Sequence, residues 1–160
     1  MLRILFLLLS VSALHADDRP NIVFILADDL GREDCGFMGG KAIKTPHLDK
    51  LAAAGSKLDA FYVQPVCSPT RASIMTGKHP ARLHITIWLE GAKKPVSNRK
   101  MQPAEAIWNL PHSEVTLAEK LGGTGYRTAS VGKWHLGEPE HYPETQGFGT
   151  NIGGTLWGAP

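Results

Sequence analysis

The fold turns on Asn21-Ile22-Val23-Phe24-Ile25-Leu26-Ala27, followed by Asp28-Asp29. Behind Pro20 the run is continuously apolar and rich in β-branched residues. That is the pattern of a strand buried on both faces in a parallel sheet, not the alternation of a half-exposed strand. It ends in two adjacent carboxylates. Open α/β sheets bind ligands at the carboxyl ends of their strands, and a cation most simply relieves the repulsion between neighbouring acids. A solvated polar strand end accounts for the same two residues, so the pair by itself leaves both readings open.

Downstream, Leu30 to Gly40 holds four glycines and reads as an irregular loop. Thr45-Pro46 then opens a helix through Leu48, Leu51 and Ala52, with Thr45 as cap, Pro46 in the first turn and Gly55 as the stop. Lys57 to Val63, with Leu58, Phe61, Tyr62 and Val63, is expected to form a second strand. It delivers the chain to Cys67-Ser68-Pro69-Thr70-Arg71, a strand–turn–helix corner of the kind that displays nucleophiles. There Ser68 can cap a helix whose first turn begins with Pro69, which has no N–H to lose and a helical φ. Cys67 then lies at the helix mouth. Arg71, four residues on, leans over the same spot, so a dipole end and a guanidinium converge on a place suited to an anion. A buried cysteine beside an ordinary helix start is the alternative. Gly77 ends this helix.

From Lys78 to Pro111 the pattern is weak. Pro80, Pro95, Pro103 and Pro111 break it, and Lys93-Lys94 and Arg99-Lys100 make it basic. It reads as a partly irregular surface excursion where substrate specificity could reside, or as a solvated loop. Thr116-Leu117-Ala118-Glu119 is a capping box opening a helix that Gly122-Gly123 closes. Tyr126 to Val131 is expected to be the next strand, running into Gly132-Lys133-Trp134-His135-Leu136-Gly137. An extended chain there would turn Lys133 and His135 to one face and Trp134 to the other, making a second anion-facing pair. A satisfied histidine beside a surface lysine is the plainer account. The succession of strands and helices argues for an α/β layered fold. With about three strands, the chain buries less apolar surface than an independent sheet of this kind needs. Gly147 to Pro160 brings no closing element, and the chain reads as the front portion of something longer.

Met1-Leu2-Arg3 is positive, Ile4 to Leu9 wholly apolar, and Ser10 to Ala16 rich in small residues: a secretory signal peptide over residues 1–16, with cleavage after Ala13 or Ala16. Its apolar run is far short of the roughly 20 residues a bilayer span requires. The expectation is an exported protein, periplasmic or secreted, without membrane attachment after cleavage. A formal net charge of +2 with no long basic run argues against nucleic-acid binding. Cys35 and Cys67 are the two cysteines, and in an exported protein a single disulfide is the default expectation.

Taken together, Asp28-Asp29 behind the apolar run, Cys67 to Arg71 continuing to Thr76-Gly77, and Gly132 to Gly137 resemble the type I formylglycine-dependent sulfatases of the alkaline phosphatase superfamily. The motifs occur in that family's order, and C-x-P-x-R is its maturation signal. The resemblance implies an alkaline-phosphatase-like layered fold with a mainly parallel central sheet and flanking helices, of which residues 17–160 form an incomplete N-terminal part. It implies that a formylglycine-generating maturation enzyme oxidises Cys67 to formylglycine. The hydrated aldehyde would attack the sulfur of a sulfate ester, and its second hydroxyl would then expel sulfate by elimination. Asp28 and Asp29 correspond to metal ligands, joined by Cys67 as formylglycine, for Ca2+ or alternatively Mg2+. Arg71 would hold the formylglycine, Lys133 would contact diol and sulfate, and His135 would hydrogen-bond the diol and help remove its proton. Lys133 and His135 are thus both catalytic and substrate-binding. A Cys67 converted to an aldehyde has no sulfur to pair with Cys35.

The sequence departs from the family in two respects. The Asp/Asn pair that completes the family's metal site, and its further histidine and lysine, are absent from these residues. Arg32-Glu33 also stand where the family carries an aromatic residue and a glycine. The function expected is hydrolysis of carbohydrate or aryl sulfate monoesters. The alternatives are a phosphoester or phosphonate hydrolase of the same superfamily, or an inactive fragment.

Overall fold

The computed structural model describes residues 19–93, 100–101 and 104–158. The signal peptide expected over 1–16 and the excursion residues Lys94, Pro95, Arg99 and Pro103 lie outside them. The architecture is α/β. Helices α1 (Pro46–Ala54), α2 (Cys67–Thr76), α3 (Pro80–Leu83), α4 (Leu89–Lys93) and α5 (Leu117–Gly123) precede two strands, β1 (Ala129–Val131) and β2 (Thr150–Ile152). The strands pair in parallel, with Ala129 opposite Thr150 and Val131 opposite Ile152. The segment joining them carries 3-10 turns at Pro139–His141 and Pro143–Gln146.

Local chemistry accounts for the helix ends. Pro46 opens α1 behind Thr45, as expected, but the Thr45 hydroxyl does not cap: it donates to Asp49 at 2.9 Å and accepts from the Gly36 amide at 2.8 Å. At α5 the capping box is complete. The Thr116 hydroxyl accepts from the Glu119 amide at 3.1 Å, and the Glu119 carboxylate accepts from the Thr116 amide at 2.7 Å. Gly77 ends α2 at φ +68°, a conformation costly to any residue with a Cβ.

The core consists of Ala72, Leu83, Ile85, Leu110, Trp134 and Leu136, with Met75, Ile107, Tyr142 and Phe148 packed against it. Trp134 meets Phe148 edge-on at 5.8 Å between ring centroids. Leu83, Ile85, Leu89 and Leu110 all come from the stretch expected to be a surface excursion. That expectation is corrected over these residues. Prolines interrupt helical periodicity there without preventing short segments from turning single apolar residues inward.

Two expected strands are corrected. Residues 21–27 join no ladder, and Val23 and Ile25 are 82% and 78% exposed. The run does travel alongside β1: Tyr126 Oη donates to the Pro20 carbonyl at 3.1 Å at one end, and Lys133 ion-pairs with Asp28 at the other. A cavity of about 540 Å³, lined by Ile22, Phe24 and Leu26 on one side and by Leu121, Ala129 and Val131 on the other, lies between them. Double-sided burial needs a layer on each face and a strand on each edge, and no described segment fills those places. Lys57 to Val63 is likewise not a strand. Asp59 and Ala60 form a turn, and Leu58, Phe61, Tyr62 and Val63 are exposed. Tyr126 to Val131 shortens to Ala129–Val131, where β2 supplies partners.

Candidate active site

Cys67 is the first residue of α2, half-buried, behind Val66 as the helix cap. Ser68 therefore lies inside the first turn and does not cap it, which corrects the expected helix start by two residues. The Ser68 hydroxyl is fully buried and accepts from the amide of Leu89, the first residue of α4, at 3.2 Å. Thr70 tightens the same turn by donating to the Val66 and Gln64 carbonyls at 2.9 and 3.0 Å. No strand leads into this corner.

One turn further along α2, Arg71 donates from Nη1 to the backbone carbonyl of Lys133 at 2.5 Å and reaches Asp28 Oδ1 from Nη2 at 3.5 Å. The Lys133 ammonium pairs with the other oxygen, Asp28 Oδ2. Three of the residues singled out in the sequence thus converge, each from a different segment. Partial burial pushes the Asp28 carboxyl up, but Lys133 and Arg71 outweigh it and hold it below the ordinary carboxylate value. Asp29 is exposed at φ +54°.

His135 is not on the Lys133 face of an extended chain, which corrects that expectation. Its φ is +59°, in the left-handed region, so side-chain alternation ends there. The side chain is buried, 2% exposed, and the residue lies between the core residues Trp134 and Leu136. Its Nε2 lies 2.8 Å from Glu90 Oε2 on α4. Burial raises the Glu90 carboxyl, but its own backbone amide, His135 and the Gly158 amide together bring it below its ordinary value. Asp29 and His135 are two of the three non-glycine residues with positive φ among the described residues. Backbone strain of this kind clusters at functional sites.

Arg71 Nε and His135 Nδ1 are both buried with no hydrogen-bond partner among the described residues. Arg71 Nε, a buried donor left open beside Lys133 and Asp28, suits a ligand that supplies an acceptor. Cys35 and Cys67 are both free thiols.

This ordered set extends across the whole described chain, and the Sulfatase family model matches residues 20–158. The chain belongs to the sulfatase family. It is 42% identical over 152 residues to arylsulfatase A of Homo sapiens, covering 92% of this chain and 28% of that protein. It is 41% identical over 128 residues to steryl-sulfatase of Homo sapiens, covering 79% of this chain and 21% of that protein. The solved structure of the PsFucS1 sulfatase from Pseudoalteromonas sp. superposes with a TM-score of 0.57 at 35% identity, covering 79% of this chain and 24% of that one. The chain therefore spans 21–28% of the length of these three sulfatases.

Sulfatase chemistry implies a divalent metal, and Asp28 and Asp29 supply hard oxygen donors of the type calcium or magnesium prefers. Their donor chemistry suits such a site, but two carboxylates do not complete one. Among the described residues no group of three or more His, Cys, Asp or Glu side chains could hold an ion, and both Asp28 oxygens already face cations. Sequence reasoning missed Glu90. It lies in a stretch with no helical periodicity, and a glutamate three residues before Lys93 looks like any solvated pair.

Proposed function

We propose that this chain supplies Asp28, Asp29, Cys67, Arg71, Lys133 and His135 to the active site of an exported hydrolase of sulfate monoesters. The observation that carries this reading is the convergence of Arg71 and Lys133 on Asp28 beside the helix that begins at Cys67. The names of its relatives, arylsulfatase and steryl-sulfatase, support aryl or steryl alcohols as the esterified group.

In this reading a maturation enzyme converts Cys67 to formylglycine, which offers an oxygen nucleophile and a later route to sulfate release by elimination. Asp28, Asp29 and residue 67 would hold the metal, Ca2+ or Mg2+, which would make that oxygen more acidic and neutralise negative charge. Arg71 keeps the Lys133 backbone and Asp28 in register with α2, the helix that begins at residue 67, through its two-pronged contacts. Lys133 places its ammonium where a sulfate oxygen gains charge as the ester bond breaks. His135 takes a proton from the hydroxyl beside residue 67. The segment over residues 1–16 directs export. Among the described residues no helix is long and apolar enough to cross a membrane.

The test is the chemical state of residue 67. The protein is produced together with a maturation enzyme, digested, and its residue-67 peptide analysed by mass spectrometry and hydrazide labelling. An aldehyde at that position is expected. A thiol that persists at Cys67 overturns the proposal, and turnover of an aryl phosphate in preference to the sulfate replaces it with a phosphoester hydrolase.

A further inference from the structure

We propose that Glu90 is a positioning residue for His135: it accepts the Nε2–H and leaves Nδ1 as the ring's one open proton acceptor. The proposal rests on the reading of His135 given above and adds to it a residue from outside the motifs.

The argument starts from hydrogen-bond capacity. A neutral imidazole has one N–H and one lone pair, and the partner of one nitrogen decides which is which. An ionised carboxylate can only accept. Glu90 Oε2 lies 2.8 Å from Nε2, so a neutral ring must carry its proton there. Nδ1 then presents its lone pair, and this is the buried nitrogen without a partner among the described residues. A ring meant only to pack would gain nothing from a buried acceptor kept open.

The ring has little freedom to exchange its nitrogens. The His135 amide donates to the Thr155 carbonyl at 3.0 Å, and Trp134 and Leu136 are anchored in the core on either side. On the Glu90 side, a Cβ at residue 158 would sit 3.0 Å from His135 Cε1 and 3.3 Å from Nε2, so glycine leaves the room this ring position needs.

Glu90 is itself held from two directions. Ser68, next to Cys67, takes the Leu89 amide at 3.2 Å. Lys93, one turn along α4, pairs with Glu138 at 2.5 Å on the segment that follows His135. Helix α4 therefore bridges the start of α2 and the His135 segment, with Glu90 between the two anchors. Histidine ligands and bases elsewhere are oriented in the same way, by a carboxylate on the far nitrogen.

The experiment reads the tautomer directly. The full chain is labelled with 15N at its imidazoles, and two-bond proton–nitrogen correlations are recorded at neutral pH, with His135 identified by loss of its signals in His135→Gln. The expected result is a neutral ring with the proton on Nε2. In Glu90→Ala that preference should be lost, and in Glu90→Asp it should return in part. In the matured protein, kcat on an aryl sulfate should fall about 10²-fold in Glu90→Ala, in the range for loss of a general base's assistance, with KM nearly unchanged. A wild-type ring protonated on Nδ1, or on both nitrogens, overturns the proposal whether or not the variants fold. So does a folded Glu90→Ala with the wild-type tautomer. A tautomer that depends on Glu90 in a protein whose residue 67 keeps its thiol after exposure to the maturation enzyme supports the positioning role and overturns the sulfatase reading.

Discussion

Arg71 Nη1 donates to the backbone carbonyl of Lys133 at 2.5 Å across 62 positions of sequence. A side chain on α2 therefore sets the height of the segment that carries both Lys133 and His135. Lysine cannot replace arginine here, because a single ammonium lacks the planar fork that reaches Lys133 and Asp28 together. In the matured protein, Arg71→Lys and Lys133→Ala should each lower kcat/KM on an aryl sulfate by about 10²–10³-fold, the scale for losing one charge-stabilising donor. Initial-rate measurements decide, and a Lys133→Ala protein as active as wild type contradicts the role given to Lys133.

Acid should selectively remove the contribution of Glu90 to stability. Its carboxyl titrates below its ordinary value in the folded chain, so the folded state binds fewer protons than the unfolded state as pH falls through that range. The stabilisation is fully present above the ordinary glutamate value of about 4.3. It is lost as pH drops through the lower folded value. Urea unfolding of wild type and Glu90→Gln should show a constant difference at neutral pH that shrinks below about pH 4. A difference that grows toward acid would contradict the sign.

Leu136 is fully buried in the core directly after His135. Leu136→Ala removes packed methylenes and leaves a cavity, at a cost of about 2–5 kcal/mol. The urea midpoint should fall with an unchanged slope, and the His135 signals should broaden because the core holds that ring. An unchanged midpoint would mean that this core does not fold cooperatively.

Thr116 caps α5 and also donates to the buried Gln146 carbonyl at 2.8 Å. Thr116→Ala should cost about 1–2 kcal/mol, the upper part of the range for losing a cap, whereas Thr116→Ser should retain most of the stability. Thermal melts of the two variants provide the comparison.

Local features were legible from sequence where the cause is local. Pro46 and Gly55 bound α1 as read, Gly77 ends α2, and Thr116 with Glu119 forms the capping box, because each depends on one residue's dihedral preference or on a side chain reaching its own helix end. The family was also legible, since its motifs keep their order and residue types along the chain. Partner-dependent features were not. Residues 21–27 and 57–63 have strand composition, yet a strand exists only where another backbone lies within hydrogen-bonding distance, and among the described residues only β1 and β2 meet that condition.

The candidate site divides in the same way. Asp28, Cys67, Arg71, Lys133 and His135 were candidates by residue type, because charged and nucleophilic side chains advertise their chemistry, and it was the family resemblance that gave them roles. That Asp28 lies between Arg71 and Lys133, and that His135 turns through a positive φ to meet Glu90, was decided by the tertiary structure. Those contacts join residues 43 to 105 positions apart. Their energies depend on burial and on which charge stands opposite which, and a linear pattern carries neither.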